Sequence, residues 1–137
     1  MKKMYIISFL VILVDRITKI LVENYLTKEL SVIKNIFYFT YVKNDGAAFS
    51  ILGSQRLLLV ILSILALFFI IYYVTKKDKN GIGYFFLIGG IIGNLIDRIF
   101  LGYVIDFIGI YTFPIFNIAD IFIVLGAILV LFEKEKK

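Results

Sequence analysis

IGYFFLIGGIIGNLIDRIFLGYVIDFIGIYTFPIFNIAD, residues 82–120, is the stretch that decides the fold of this chain. It begins with an apolar run that is long enough to cross a bilayer, and Asp106 and Asp120 lie beyond that run. The connection between residues 99 and 117 is short, so the two apolar segments that flank it are expected to be neighbours. A carboxylate at membrane depth costs about 2.5 to 3.5 kcal/mol, and these aspartates therefore need a functional explanation.

The composition of the whole chain is that of an integral membrane protein, because 61% of its 137 residues are hydrophobic. The sequence has neither Cys nor His, which excludes disulfides, thiol nucleophiles, Ser-His triads and the usual zinc ligand sets. We therefore expect no metal and no cofactor. The net charge of +5 comes from short clusters between apolar runs rather than from one basic face, so we expect no nucleic-acid partner.

Four apolar segments predict transmembrane helices, over residues 4–21, 57–74, 82–99 and 117–132. Lysines cluster within residues 2–3, 76–79 and 134–137, and the positive-inside rule then places both termini in the cytoplasm. The first segment also resembles a secretory signal, but no small-residue cleavage pattern follows it, and Asp15, Arg16 and Lys19 continue its helical register. We therefore expect a retained first helix within a single domain, residues 1–137.

The segment between the first two helices, residues 31–50, is rich in β-branched and aromatic residues. It predicts one or two strands closed by a turn at residues 44–46, with Phe37, Phe39 and Tyr41 on one face at the lipid headgroup level. Gly46, with Ala47 and Ala48, would let another backbone or a substrate approach closely, although a plain interfacial hairpin explains the segment equally well. The expected fold is a membrane all-α bundle of four transmembrane helices with a small extracytoplasmic β-sheet, a cradle between helices 1 and 2.

This topology brings polar residues from five separate stretches to one level near the outer face: Asp15, Asn44, Asn94, Asp97, Arg98, Asp106, Asn117 and Asp120. Most of them also have a structural interpretation. Asn117 and Asp120 could cap a helix, Asn94 and Arg98 could hydrogen-bond within the bundle, Asp15 and Lys19 could form an ion pair, and Asp97 could pair with a nearby cation. Asp106 has only apolar neighbours and no such explanation.

Two carboxylates that meet at low dielectric do not both ionise easily, so one keeps a proton while the other stays charged. The charged member can take a proton from water while the neutral one donates to a carbonyl oxygen, which is acid/base hydrolysis of an amide. Asp106 and Asp120 are the candidates for this pair, provided that the third and fourth helices are neighbours.

Four ordered sequence blocks also resemble a known family. They are DRITK at residues 15–19, NDGAAFS at residues 44–50, GNLIDR with GYVIDFI between residues 93 and 108, and FNIAD at residues 116–120. Together they are similar to the signature of lipoprotein signal peptidase, signal peptidase II. The resemblance covers nearly the whole chain. Arg16 stands where Gln is common, and the stretch from residue 107 to residue 116 is short for the family, which affects the shape of the substrate entrance.

The resemblance implies a multi-pass aspartyl endopeptidase of the bacterial cytoplasmic membrane that cuts prolipoproteins on the N-terminal side of a diacylglyceryl-modified cysteine. Asp106 and Asp120 would be the catalytic pair. The residues that would support the active site or bind substrate are Asp15, Asn44, Gly46, Asn94, Arg98 and Asn117. The implied partners are lipidated substrate, membrane lipid and inhibitors of the globomycin type, and we expect a monomer with its active site near the outer face.

Two other classes of function remain possible from the residues alone. A small proton-coupled transporter would also carry acidic residues in its membrane segments, although they would lie near the middle of the bilayer. A structural or assembly subunit would explain the helices but would leave Asp106 without a purpose.

Overall fold

The computed structural model describes residues 4–46 and 55–133. In chain order the elements are α1 (Tyr5–Tyr25), β1 (Leu30–Ile33), β2 (Phe37–Asn44), α2 (Gln55–Lys76), α3 (Ile82–Phe100), β3 (Val104–Ile110) and α4 (Ile118–Leu131). Helices lie at all four positions that the apolar runs predicted. The strands form one small antiparallel sheet in the order β1-β2-β3.

Helix α3 is the centre of the bundle, because it packs against α1, α2 and most extensively α4. The α3–α4 contact is close: a Cβ placed on Gly83 would lie 2.8 Å from the carbonyl oxygen of Gly126, and one on Gly126 would lie 2.7 Å from that of Gly83. Both distances are too short for any side chain, so glycine at these positions lets the two backbones meet. The prediction that the third and fourth helices are neighbours is confirmed.

Two helices of the described chain, α2 and α3, are long and apolar enough to cross a membrane, with mean hydropathies of 3.0 and 1.4. Helix α4 is apolar but shorter, at 14 residues. Helix α1 is 21 residues long but carries charged residues, of which Asp15 and Lys19 are buried against the rest of the protein. Four helices are therefore present, and the crossing of the membrane by all four stays a prediction.

The sheet differs from the prediction in two ways. The turn between β1 and β2 lies at residues 34–36, where Asn35 adopts a φ of +61° and Ile36 N–H donates to the Ile33 carbonyl. The predicted turn at residues 44–46 is present, but it follows β2, whose last residue Asn44 pairs with Val104 of β3. A third strand was also missed, because β3 lies in the connection between α3 and α4. The cradle is therefore not formed between helices 1 and 2 alone.

Strand β3 completes the sheet because β2 would otherwise leave one edge of backbone groups unpaired. The pairing is antiparallel from Phe37 with Ile110 to Asn44 with Val104, with an irregularity between Phe39 and Val42. The buried side chains of β3 form a small apolar cluster, against which Phe37, Phe39 and Tyr41 of β2 all pack. Of these aromatic residues, which were predicted to share a face, Phe37 and Phe39 do so, with ring centroids 5.1 Å apart. The predicted close approach at Ala47 and Ala48 lies outside the described residues.

Candidate active site

Asp106 lies in the middle of β3 and is only 3% exposed. Its Oδ2 accepts a hydrogen bond of 2.8 Å from Asn44 Nδ2, and its Oδ1 accepts one of 2.7 Å from Asn117 Nδ2. Burial raises the pKa of Asp106 to about 6, and the nearby charge of Asp120 adds to the rise, whereas the hydrogen bonds from Asn44 and Asn117 oppose it. Asp106 therefore sits in an environment where it can keep a proton at mildly acidic pH.

Asp120 lies on the first turn of α4, where the helix dipole favours negative charge. It forms a capping box with Asn117: Asp120 N–H donates to Asn117 Oδ1 at 2.9 Å, and Asn117 N–H donates to Asp120 Oδ2 at 3.1 Å. The other oxygen, Oδ1, accepts a hydrogen bond of 2.7 Å from Asn94 Nδ2 of α3. The prediction that these two residues cap a helix is confirmed, but capping does not describe all their contacts.

Asn117 joins the two aspartates. Its side chain is fully buried and contacts Asp106 through Nδ2 while it caps Asp120 through Oδ1. The same Nδ2 lies 3.0 Å from Asn94 Oδ1. Asp106 of β3 and Asp120 of α4 are thus linked through the side chain of a single asparagine.

A buried group of charged residues lies next to Asn94 and Asn117. Lys19 Nζ lies 2.8 Å from Asp15 Oδ2 and 2.9 Å from Asp97 Oδ2, and all three side chains are fully buried. Arg16 forms a further ion pair with Asp97. The predicted Asp15–Lys19 ion pair and the predicted pairing of Asp97 with a cation are both confirmed.

The buried carboxylates also hold the elements that carry the two aspartates of the site. Asp15 Oδ1 accepts a hydrogen bond of 2.9 Å from Ala119 N–H, next to Asp120, and Asp97 Oδ2 accepts one of 3.1 Å from Ile105 N–H, next to Asp106. Helices α1 and α3 therefore fix the backbone on which each aspartate sits.

A cavity of about 200 Å³ opens beside Asn44. Gly46, Arg56, Arg98 and Tyr103 are among the residues that line it. Gly46 has a φ of +85° and donates its N–H to Asn44 Oδ1 at 3.0 Å, so glycine here lets the chain turn back over Asn44 and orients its amide. Asn44, which donates to Asp106, connects this cavity to the aspartate.

Arg98 lines this cavity with its guanidinium in the electrostatic field of Asp120 and Asp106. Its backbone carbonyl accepts a hydrogen bond of 2.8 Å from Arg56 Nε, and the Ile99 carbonyl accepts one of 2.9 Å from the same guanidinium. Within residues 4–46 and 55–133, Asn94 hydrogen-bonds with Lys19, Asn117 and Asp120 rather than with Arg98. The interpretation that Asn94 hydrogen-bonds within the bundle is confirmed, and its amide turns toward the aspartates.

In the described parts of the chain, no group of three or more carboxylates is arranged to hold a metal ion. Two aspartates of unequal environment, linked by amides and connected through Asn44 to a cavity, are chemically able to activate water for the hydrolysis of an amide.

Comparison with known proteins identifies the family. Residues 7–134 match the family described as signal peptidase (SPase) II. The chain belongs to the signal peptidase II family. The lipoprotein signal peptidase of Halothermothrix orenii is 39% identical over 140 residues, which cover 96% of this chain and 97% of that protein. The lipoprotein signal peptidase of Clostridium novyi is 43% identical over 86% of this chain and 87% of its own length.

Solved structures agree with this signal peptidase II assignment. A bacterial membrane enzyme solved by the in meso method at 1.9 Å resolution is 30% identical, with a TM-score of 0.88 over 96% of this chain and 91% of that one. A second, at 2.3 Å resolution, is also 30% identical, with a TM-score of 0.84 over 100% of this chain and 94% of that one. The resemblance that the four sequence blocks indicated is confirmed.

The structure of this signal peptidase II family member places all eight predicted site residues in one region. Asp15, Asn44, Asn94, Asp106, Asn117 and Asp120 belong to one connected set of polar contacts, and Gly46 and Arg98 line the adjacent cavity. Sequence reasoning treated Lys19 and Asp97 only as structural charges and gave no role to Arg56. The spacing of Asp15 and Lys19 on one helix was the available signal for Lys19, but its contact with Asn94 comes from another helix.

Proposed function

We propose that this chain is an aspartic endopeptidase that removes the signal peptide from prolipoproteins on the N-terminal side of a diacylglyceryl-modified cysteine. Membership of the signal peptidase II family and relatives named lipoprotein signal peptidase support the choice of substrate. The observation that carries the proposed mechanism is the linkage of Asp106 and Asp120 through Asn117, beside an open cavity.

In this mechanism Asp106 and Asp120 share one proton. Burial in β3 favours the neutral form of Asp106. Asp120 instead lies at the N-terminus of α4 and accepts hydrogen bonds from Asn94 Nδ2 and Asn117 N–H. Asp106 is therefore the general acid of the free enzyme, and Asp120 is the general base.

Asp120 removes a proton from a water molecule whose oxygen forms a bond with the scissile carbonyl carbon, while Asp106 donates its proton to the carbonyl oxygen. The products of this step are a tetrahedral diol, an ionised Asp106 and a neutral Asp120. When the carbon–nitrogen bond breaks, Asp120 gives its proton to the leaving amine of the cysteine and Asp106 recovers a proton from the diol. No metal or cofactor takes part in these transfers.

The remaining residues of the site position the pair or hold the substrate. Asn44 is exposed and holds Asp106 at the edge of the cavity, so its amide can also meet a peptide backbone. Arg98 and Gly46 line the same opening, where a guanidinium can bind carbonyl oxygens and a glycine leaves room for the chain. Asn94, Asn117 and Asp15 orient the aspartates from behind.

We further propose that the chain is a single domain of the bacterial cytoplasmic membrane. All four helices cross the bilayer, both termini are cytoplasmic and the sheet lies at the outer face. Long rows of exposed apolar side chains on α1, α2 and α4 support this placement, since lipid can cover them. The enzyme works as a monomer surrounded by membrane lipid, and cyclic peptide inhibitors of the globomycin type bind at the cavity beside Asn44.

Incubation of the purified protein with a diacylglyceryl-modified prolipoprotein and with its unlipidated form tests this function. We expect cleavage of the lipidated form only, with the new N-terminus at the modified cysteine. Asp106→Asn enzyme, reconstituted at the same concentration, serves as the inactive control. Absence of cleavage by folded wild-type protein, or equal cleavage of both substrates, would contradict the proposal and return the transporter and assembly-subunit interpretations to consideration.

A further inference from the structure

The buried Lys19 has contacts that its ion pairs do not explain. Besides Asp15 and Asp97, its ammonium group donates to Asn94 Oδ1 at 3.1 Å. Asn94 in turn donates to Asp120 Oδ1 at 2.7 Å. The side-chain amide of Asn94 therefore connects Lys19 of α1 to the proposed catalytic carboxylate of Asp120 on α4.

The ammonium group dictates which way the Asn94 amide points. A lysine ammonium can only donate, so the Asn94 atom that faces it must be the oxygen. A flipped amide would place its NH2 group against the ammonium and against the Asn117 Nδ2, which lies 3.0 Å from the same oxygen. The opposite end of the amide, Nδ2, is thereby held toward Asp120 as a donor.

The Asn117 amide is held by an independent group, because Asp120 N–H must donate to its oxygen. Asn44 is held in the same manner by Gly46 N–H. Among the three asparagines that contact the aspartates, Asn94 is thus the one whose oxygen is held by a side-chain cation, together with the Asn117 amide. Backbone N–H groups hold the other two asparagines, so Lys19 is the side chain whose substitution can test how Asn94 is oriented.

The positive charge of Lys19 also affects the net charge of the site. The charged groups that face Lys19 and the two site aspartates are Asp15 and Arg16 from α1, Asp97 and Arg98 from α3, Asp106 from β3 and Asp120 from α4. With Lys19 counted, three cations oppose four carboxylates, and one proton on Asp106 or Asp120 makes the group neutral. Without Lys19, neutrality needs a second proton, and any part of it that the aspartate pair takes up reduces the ionised carboxylate that activates water.

We propose that Lys19 is a positioning residue of the peptidase: it fixes the Asn94 amide as a donor to Asp120 and supplies the buried positive charge that keeps a single proton on the aspartate pair. This inference rests on the proposed function. The two roles are separable, because the charge can be restored without restoring the contact to Asn94.

Two variants distinguish these roles. Lys19→Met removes both the contact and the charge, and it leaves the buried Asp15 Oδ2 without its counterion. Asp15→Asn/Lys19→Met removes one negative and one positive charge together, so the balance stays as in the wild type. The double variant also avoids the uncompensated Asp15 carboxylate, and it therefore tests the positioning role if Lys19→Met fails to fold.

The readouts are kcat, KM and the pH profile of kcat/KM on lipidated prolipoprotein. In Lys19→Met we expect kcat to fall by about tenfold or more with KM little changed, and the falling limb of the pH profile to move up by about one pH unit. In the double variant we expect the limb to return to the wild-type position while kcat stays low. Lys28→Met, at an exposed lysine, is the matched control and should match the wild type.

A double-mutant cycle with Asn94→Ala completes the test. If Lys19 acts through Asn94, then at a pH below the falling limb of both variants Asn94→Ala/Lys19→Met has the same kcat as Asn94→Ala/Lys28→Met, because the contact is already lost. Multiplicative losses in the cycle, or recovery of kcat in Asp15→Asn/Lys19→Met, would overturn the positioning role. An unmoved pH limb in folded Lys19→Met would overturn the charge role. Wild-type cleavage of the lipidated substrate, measured in parallel, keeps these outcomes distinct from a failure of the proposed function.

Discussion

Replacement of Asn117 by serine or by alanine should separate its helix-capping role from its role in the site. Serine retains an oxygen that can accept the Asp120 N–H and is as good an N-cap as asparagine, whereas alanine retains none. Alanine has no donor, and the serine hydroxyl is one bond too short to replace Nδ2, which donates to Asp106 at 2.7 Å. The two variants therefore share the loss of the bridge and differ only in the cap.

The contacts of Asn117 set the expected losses of stability. The cap is worth about 1 kcal/mol, the hydrogen bond to the Asp106 carboxyl about 2 kcal/mol and the contact with Asn94 about 1 kcal/mol. Asn117 is fully buried, so water does not replace these bonds. We expect Asn117→Ala to lower the free energy of unfolding by about 4 kcal/mol and Asn117→Ser by about 3 kcal/mol. Their activities should fall together, by about a hundredfold in kcat, because both lose the bridge between the aspartates.

Unfolding in mixed detergent micelles measures the stabilities, and cleavage of lipidated prolipoprotein measures kcat. Asn24→Ser is a suitable control, since Asn24 is exposed and its side chain donates to the Ile20 carbonyl of its own helix. Folded Asn117→Ser enzyme with kcat near that of the wild type would show that capping alone explains Asn117. The proposed bridge between Asp106 and Asp120 would then be refuted.

Four further predictions concern the same site. Asp106→Asn and Asp120→Asn should each abolish cleavage while the protein still inserts and folds, and near wild-type turnover by either purified variant would contradict the acid/base pair. Asn44→Ala and Arg98→Ala should raise KM more than they lower kcat, which unchanged kinetics on short lipopeptides would exclude. Because the pKa of Asp106 is about 6 and its neutral form is the general acid, kcat/KM should fall as pH rises through this value. Asn44→Ala removes a donor that stabilises the Asp106 carboxylate, so this fall in kcat/KM should move to higher pH. Activity should persist in excess chelator, and a loss that zinc restores would argue for a metal.

The apolar runs and the ordered polar blocks were sufficient to predict four helices, the family and the residues that meet at the site. This is possible because the helix-forming signal is local, and because a carboxylate in an apolar sequence is costly enough to mark its own importance. The capping box of Asn117 and Asp120 and the ion pair of Asp15 and Lys19 follow equally from spacings of three and four residues.

Only the tertiary structure decided that Asp106 lies on a strand, because β3 exists through its pairing with β2 and not through its own short sequence. The same holds for the orientation of the Asn94 amide and for the support of α4 by Asp15, whose partner Ala119 is 104 residues away in the chain. A sequence therefore determines which groups carry the chemistry, whereas their hydrogen-bond partners depend on which elements meet. That meeting is set by close packing at residues such as Gly83 and Gly126, where the absence of a side chain matters only once the facing helix is in place.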